Sequence, residues 1–204
     1  MPRLPRLSRA LAAVVYVSEG RRPAVLDMLE RTAREAAAAP RRVALANVFR
    51  DAQYNRTGFT LAGADPDDVR QTVLALAGAS LQQLDLRLHD ASHPRVGVVD
   101  HVSCHALRGE RAEAADLARG IGQGLALLGA PVKLYGDAAS DGVELAQVRR
   151  DCGYFRKTRD KDRDREAETE TERGEVWSGK FVPKGGFTFD FLGPDEVTEK
   201  LGFC

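Results

Sequence analysis

The chain has 204 residues, 43% of them hydrophobic, which is enough for one well-buried core and too little for two large domains. Its 30 basic and 30 acidic residues cancel, so no overall field draws it to nucleic acid or to an anionic membrane. Three scattered cysteines, none in a C-x-x-C pair, argue against a disulfide framework or zinc ribbon and for a reducing compartment, and no apolar run approaches the ~20 residues of a membrane helix.

Residues 1–10 open with Met-Pro-Arg-Leu-Pro-Arg-Leu-Ser-Arg, basic and free of acids. Two prolines oppose the amphipathic helix of an organelle transit peptide, so this is read as a basic extension of a cytoplasmic protein, with organellar targeting the lesser reading. Leu-Ala-Ala-Val-Val-Tyr-Val (11–17) is apolar and β-rich, and Ser18-Glu19-Gly20 then turns toward a helix starting at Pro23. In that helix Val25, Met28, Leu29, Thr32, Ala33 and Ala36 recur at helical spacing, and Pro40 closes it. Residues 43–49 and 58–61 read as strands around the polar turn 50–56. Asp65-Pro66 is an N-cap followed by proline at the first helical position, and Val69, Val73, Leu76, Ala77, Leu81 and Leu84 continue one face.

Residues 96–107 read as a strand, Leu117, Ile121 and Leu125 mark a third helix, residues 131–135 a strand, and residues 142–150 a last short helix. Gly120, Gly122 and Gly124 sit within the third helix and point to close helix packing rather than a phosphate loop. Strands alternating with helices predict an α/β domain over residues 11–154, a mixed β-sheet with helices packed on its outer face. Between residues 156 and 173, 14 of 18 residues are charged with alternating sign, so residues 155–176 read as a charged loop or disordered insert. Residues 177–204 are a tail too short for a domain.

The chemistry concentrates in residues 84–100, around His93-Pro94-Arg95-Val96-Gly97. His89 and His93, Arg87 and Arg95, and several carboxylates there can move a proton and hold an anion at neutral pH. His89, His93, His101 and His105 form two i, i+4 pairs beside Cys104, which invites a metal reading. Pro94 breaks the first pair from any helix and a strand spreads the second, so ordinary histidines are the reading kept and no metal is expected.

Four collinear segments carry a resemblance. Val14-Val15-Tyr16-Val17-Ser18-Glu19-Gly20, Asn55-Arg56-Thr57-Gly58-Phe59-Thr60-Leu61-Ala62-Gly63, the run from Leu84 to Asp100 and the run from Pro131 to Ala139 resemble V-P-N-F-S-E-G, N-R-T-x-Y-T-F-x-G, I-D-M-R-x-H-x-G-x-H-P-R-M-G-A-L-D and P-V-x-L-Y-G-E-A-A of the formiminotransferase (glutamate formimidoyltransferase) family, over roughly residues 11 to 150 of its N-terminal subdomain. The resemblance implies an α/β sandwich with ferredoxin-like elements. It also implies transfer of a formimino group between N-formiminoglutamate and tetrahydrofolate, without a metal.

The family's catalytic histidine falls on His93, which would pass a proton from attacking to departing nitrogen. Asn55, Arg56 and Arg95 would hold carboxylates or the pterin edge, and Tyr135, Gly136 and Asp137, at a strand end, would complete the substrate and folate site. His89, Arg87, Asp51 and Asp100 would support it. Tyr16 replaces the family's Asn, while Asn47 and Phe49 replace both acids of its D-x-D, which leaves Asp51 as a substitute from a shifted position.

Residues 192–200 resemble the linker to a second subdomain whose wall would complete the folate cleft. The expectations are weak or no activity in isolation and a homodimer or pairing with a full-length relative. The alternative is a non-catalytic binding or interaction module that pairs with such a relative.

Overall fold

A computed structural model of the chain describes residues 9–38 and 40–152. The expectations for residues 1–8, for the charged run and for the tail lie outside the described residues.

β1 (Ala10–Val17) buries Leu11, Ala13, Val15 and Val17 completely on one face, as period-two alternation requires of a strand beside a core. α1 (Pro23–Ala37) begins with proline in its first turn, where a missing N–H costs nothing, and buries Leu26, Leu29, Ala33 and Ala37. β2 (Val43–Asp51) and β3 (Arg56–Gly63) form a hairpin whose turn ends at Asn55, held at φ 49, a left-handed conformation that asparagine tolerates. α2 (Pro66–Gln83) starts where the sequence places it: the Asp65 carboxylate accepts from the N–H groups of Asp67 and Asp68 at 2.8 and 3.3 Å. A 3-10 turn (Leu86–Leu88) leads through the histidine segment to β4 (Val99–Arg108). α3 (Arg111–Leu127), a 3-10 turn (Gly136–Ala138) and α4 (Leu145–Asp151) complete the described chain.

The sheet order is β2-β3-β1-β4. α1, α2 and α3 bury their apolar stripes against the odd-numbered residues of β1, Phe59 and Leu61 of β3, and Val102 of β4, in one continuous core. Each fully buried Val, Leu or Phe is worth roughly 1.5–3 kcal/mol relative to exposure. The α/β class, the helix layer and the β-α-β-β-α-β order of ferredoxin-like folds agree with expectation. The pairing corrects the mixed sheet: β1 with β3, β1 with β4 and β2 with β3 are all antiparallel. The crossover through α1 skips one position, so β3 lies between β1 and β2.

A second correction concerns residues 131–135, predicted as a strand, which join no ladder. Val132 is buried, and Val132 and Leu134 lie against α3 at Gly122, where an added Cβ would stand 3.3 Å from each. The alternation of that segment is satisfied by helix packing. Gly124 likewise lets Leu74 of α2 close on α3, since a Cβ there would fall 2.4 Å from a Leu74 methyl. No helix among the described residues is long and apolar enough to cross a membrane.

Candidate functional site

Three connections meet at one end of the sheet: the β1–α1 turn, the β2–β3 hairpin and the segment from residue 85 to 98. Gly20 makes this possible, because a Cβ there would stand 2.3 Å from the Asp51 carbonyl oxygen and 2.7 Å from the Arg56 nitrogen. Its N–H donates to Asn55 Oδ1 at 2.8 Å, and the Thr57 hydroxyl donates to the Glu19 carbonyl at 2.6 Å. Ser18 closes the third side, its N–H reaching the Val98 carbonyl at 2.8 Å and its hydroxyl the Gly97 carbonyl at 2.7 Å. Arg21 spans the outside, donating to the carbonyls of Ala52 and Asp90 at 2.8 and 3.0 Å. Burial pushes the Glu19 carboxyl up, but the N–H groups of Arg21 and Arg22 and the Arg22 guanidinium outweigh it and hold Glu19 below the usual carboxylate range.

His93 Nδ1 lies 2.8 Å from the Pro94 carbonyl oxygen, which can only accept, so the neutral ring consistent with this contact carries its proton on Nδ1 and its lone pair on Nε2. Arg56 Nη1 stands 3.3 Å from that Nε2. Burial lowers the His93 pKa, with Arg56 and Arg95 adding to it and the Pro94 carbonyl and Asp100 opposing. At neutral pH the ring is therefore an unprotonated base. The Arg56 guanidinium also covers the Tyr16 ring at 4.1 Å, and Tyr16 is followed by His101 at 6.0 Å and Tyr135 at 5.7 Å, the last pair joined by a 2.8 Å bond between His101 Nε2 and the Tyr135 hydroxyl. Burial drives the His101 pKa down to about 4, with Arg149 and Arg56 contributing.

His89 and Arg95 belong to the buried floor. Arg95, 5% exposed, donates through Nε to His89 Nε2 at 2.6 Å and through Nη2 to the carbonyls of Tyr54 and, at 3.1 Å, Asn55. Burial, then the Arg95 charge, lowers the His89 pKa to about 4, so it stays a neutral acceptor. Asp100 is buried as well and accepts from the Val96 N–H at 2.8 Å; burial raises its pKa against the pull of that N–H and of Arg56, Arg95 and His93.

The fold thus gathers Asn55, Arg56, His89, His93, Arg95 and Asp100 into one cluster, with Tyr135 linked to it through His101 and Tyr16. Other expected positions lie apart from His93 in their contacts. The Asp51 carboxylate accepts from the Tyr54 N–H at 2.8 Å and serves the hairpin turn. Arg87 pairs with Asp85 at 2.8 Å on the surface, two residues away along the chain. Gly136, at φ 57, opens the second 3-10 turn, and Asp137 turns to Arg111 at 2.6 Å. Asn55 is engaged by the Gly20 N–H and the Asp90 carbonyl, which makes it a strut. Sequence reasoning missed the roles of Tyr16, His101 and Arg21. Alternation puts Tyr16 and His101 on the sheet face away from α1, α2 and α3, but only the β1–β4 register makes them neighbours.

The family model described as "Formiminotransferase domain, N-terminal subdomain" matches residues 10–204. A formiminotransferase cyclodeaminase-like protein of Arabidopsis thaliana is 32% identical over 203 residues, covering 92% of this chain and 60% of the relative. The formimidoyltransferase-cyclodeaminase of Sus scrofa is 36% identical over 135 residues, 65% of this chain and 24% of that protein. The glutamate formimidoyltransferase of Streptococcus pyogenes serotype M1 is 27% identical over 148 residues, 71% of this chain and 48% of that protein. The chain spans between about a quarter and three fifths of the lengths of these curated relatives.

Proposed function

The chain belongs to the formiminotransferase family, matching its N-terminal subdomain, and on that premise we propose that it transfers a formimino group between N-formiminoglutamate and tetrahydrofolate, with His93 carrying the proton. The observation that carries the reading is the pair His93 and Arg56: a neutral imidazole beside a guanidinium that has no carboxylate within ion-pair distance among the described residues. A half-buried cation without a direct ion pair suits an anionic substrate.

In the proposed step the pterin N5 attacks the amidine carbon, forming the new N–C bond. His93 Nε2 takes the proton that N5 must lose. The same proton then passes to the glutamate nitrogen as its bond to carbon breaks, so glutamate leaves as a neutral amine group and the imidazole is restored. Such positioned proton transfer is worth about 10²–10⁴ in rate. Arg56 holds a glutamate carboxylate, while Arg95, Asn55, His89 and Asp100 keep the floor rigid.

The test is formimino transfer by the purified chain, alone and mixed with a full-length relative, in wild type and His93→Gln. Transfer reduced at least about 10²-fold by the substitution supports the reading. No transfer by wild type under either condition overturns it. A second reading rests on Phe49 and Leu107, 56% and 64% exposed on the strands that edge the sheet. It is a non-catalytic module that pairs with a full-length relative, and sedimentation that finds neither self-association nor such a complex counts against it.

A further inference from the structure

The accepting nitrogen of His93 is covered by a neighbouring guanidinium. Arg56 Nη1 faces His93 Nε2 at 3.3 Å, a long contact, and the lone pair it faces is the one a proton must reach. Arg56 is otherwise lightly held. Among the described residues its Nε is buried without a hydrogen-bond partner, its guanidinium rests on the face of Tyr16 at 4.1 Å, and its charge is felt by Asp100 and His101 without an ion pair to either. Arg95, in the same site, is fixed by His89 and two hairpin carbonyls.

The Tyr16 ring has little freedom of its own. It lies across Gly58, where an added Cβ would stand 3.0 Å from the ring, and its other side is lined by His101 at 6.0 Å with the planes 19° apart. His101 is fixed in turn by the Tyr135 hydroxyl at 2.8 Å. A row of stacked plates therefore runs from Tyr135 across β4 and β1 to Arg56 on β3. Tyr16 is the plate against which the guanidinium rests.

We propose that Arg56 is a removable cap on His93 Nε2, lifted off by an incoming carboxylate, and that Tyr16 is the positioning residue that parks it there. The inference rests on the reading of His93 as the proton carrier and adds a condition to it. A guanidinium leaves a cation–π contact and one long hydrogen bond for a carboxylate because the bidentate, charge-assisted pair is the stronger interaction. Its departure bares the lone pair when an anionic donor is seated.

Arg56, Arg95, Asp100, the Tyr54 ring and the Pro94 carbonyl face His93, and of these Arg56 is the one whose contact with the ring nitrogen a carboxylate can replace. The experiment is an imidazole NMR titration of the full 204-residue chain, with His93 assigned among the four histidines by His93→Gln. The probe is N-formylglutamate, with glutaramide as the uncharged control. In wild type the His93 midpoint lies below the ordinary value of about 6.5, and it rises with N-formylglutamate but not with glutaramide. Arg56→Gln raises it without ligand and removes the response. Tyr16→Leu raises it without ligand, while Tyr16→Phe, which keeps the ring, titrates as wild type. Amide spectra confirm the fold of each variant, and either Arg56→Gln or Tyr16→Leu suffices if the other unfolds.

A midpoint indifferent to both substitutions overturns the cap. A wild-type midpoint that does not move with N-formylglutamate, through weak binding or binding elsewhere, overturns its release. Tyr16→Phe behaving like Tyr16→Leu removes the role given to the ring. If no formimino transfer is found while the titration behaves as described, the functional reading falls and the cap stands; transfer with an indifferent midpoint leaves the reading and removes the cap.

Discussion

Replacing Arg95 with methionine keeps most of the aliphatic stem and deletes the guanidinium, which strips a donor from His89 Nε2 and from the carbonyls of Tyr54 and Asn55. With Arg95 5% and His89 9% exposed, water has little access to replace it. Each orphaned buried acceptor costs about 1–3 kcal/mol, while removing a buried charge returns part of its own desolvation penalty. The balance is a loss of roughly 3–5 kcal/mol, or a fall in Tm of about 6–20 °C for a chain of this size. Urea unfolding followed by circular dichroism measures it, with an unchanged m-value showing that the native and unfolded states keep their compactness. Arg87→Met is the control: its side chain is 64% exposed and pairs with Asp85, two residues away along the chain, so it should stay within about 0.5 kcal/mol of wild type. An Arg95→Met loss below about 1 kcal/mol would show that these bonds do not hold the hairpin to the histidine segment, and Arg95 would return to the candidates for binding substrate.

Other expectations follow from the same geometry. His89 and His101 are each held near a pKa of about 4, so between there and the ordinary value of about 6.5 the unfolded chain binds protons the folded one does not, and stability falls as pH drops through that window. The loss, on the order of 2 kcal/mol for each, is measured by urea unfolding at pH 7 and pH 5; equal stabilities at the two values would refute it. Gly20→Ala drives a methyl into the backbone of Asp51 and Arg56 and should cost roughly 1–3 kcal/mol or more by the same method, while a neutral effect would mean that the turn yields easily. Burial pushes the Cys104 thiol up to about 12, so native protein at pH 8 should protect it from iodoacetamide and unfolded protein should not, as peptide mass spectrometry can establish. Equal labelling in both states would show the thiol to be accessible.

The elements were readable where local chemistry fixes them. Asp65-Pro66 marks the start of α2 because a carboxylate cap and a proline at the first helical position act within a single turn. Lateral order was not readable: alternation assigns Tyr16 a face of β1 but says nothing about which strand lies beside it, and the stack on His101 depends on that register. Residues 131–135 show the limit of the pattern itself, since an alternating apolar run packs on the glycine-lined side of α3 as readily as it pairs in a ladder. At the site, sequence spacing brought His89, His93 and Arg95 into one short segment. Their separation into a buried floor and a partly exposed base comes from the hairpin carbonyls of Tyr54 and Asn55, which approach Arg95 from 41 and 40 residues away.

The sheet order also sets when the site comes into being. β1 occupies an interior position, yet its partners are β3 and β4, and the bond from the Ser18 hydroxyl to the Gly97 carbonyl closes across 79 residues. Contacts so distant along the chain form late in folding, after the β2–β3 hairpin and the helices have local structure to build on. A ribosome-bound chain that has not yet released β4 is therefore expected to have its hairpin but no assembled histidine–arginine cluster. By the same topology, partial unfolding that frees β4 from β1 dismantles the centre while leaving the hairpin paired.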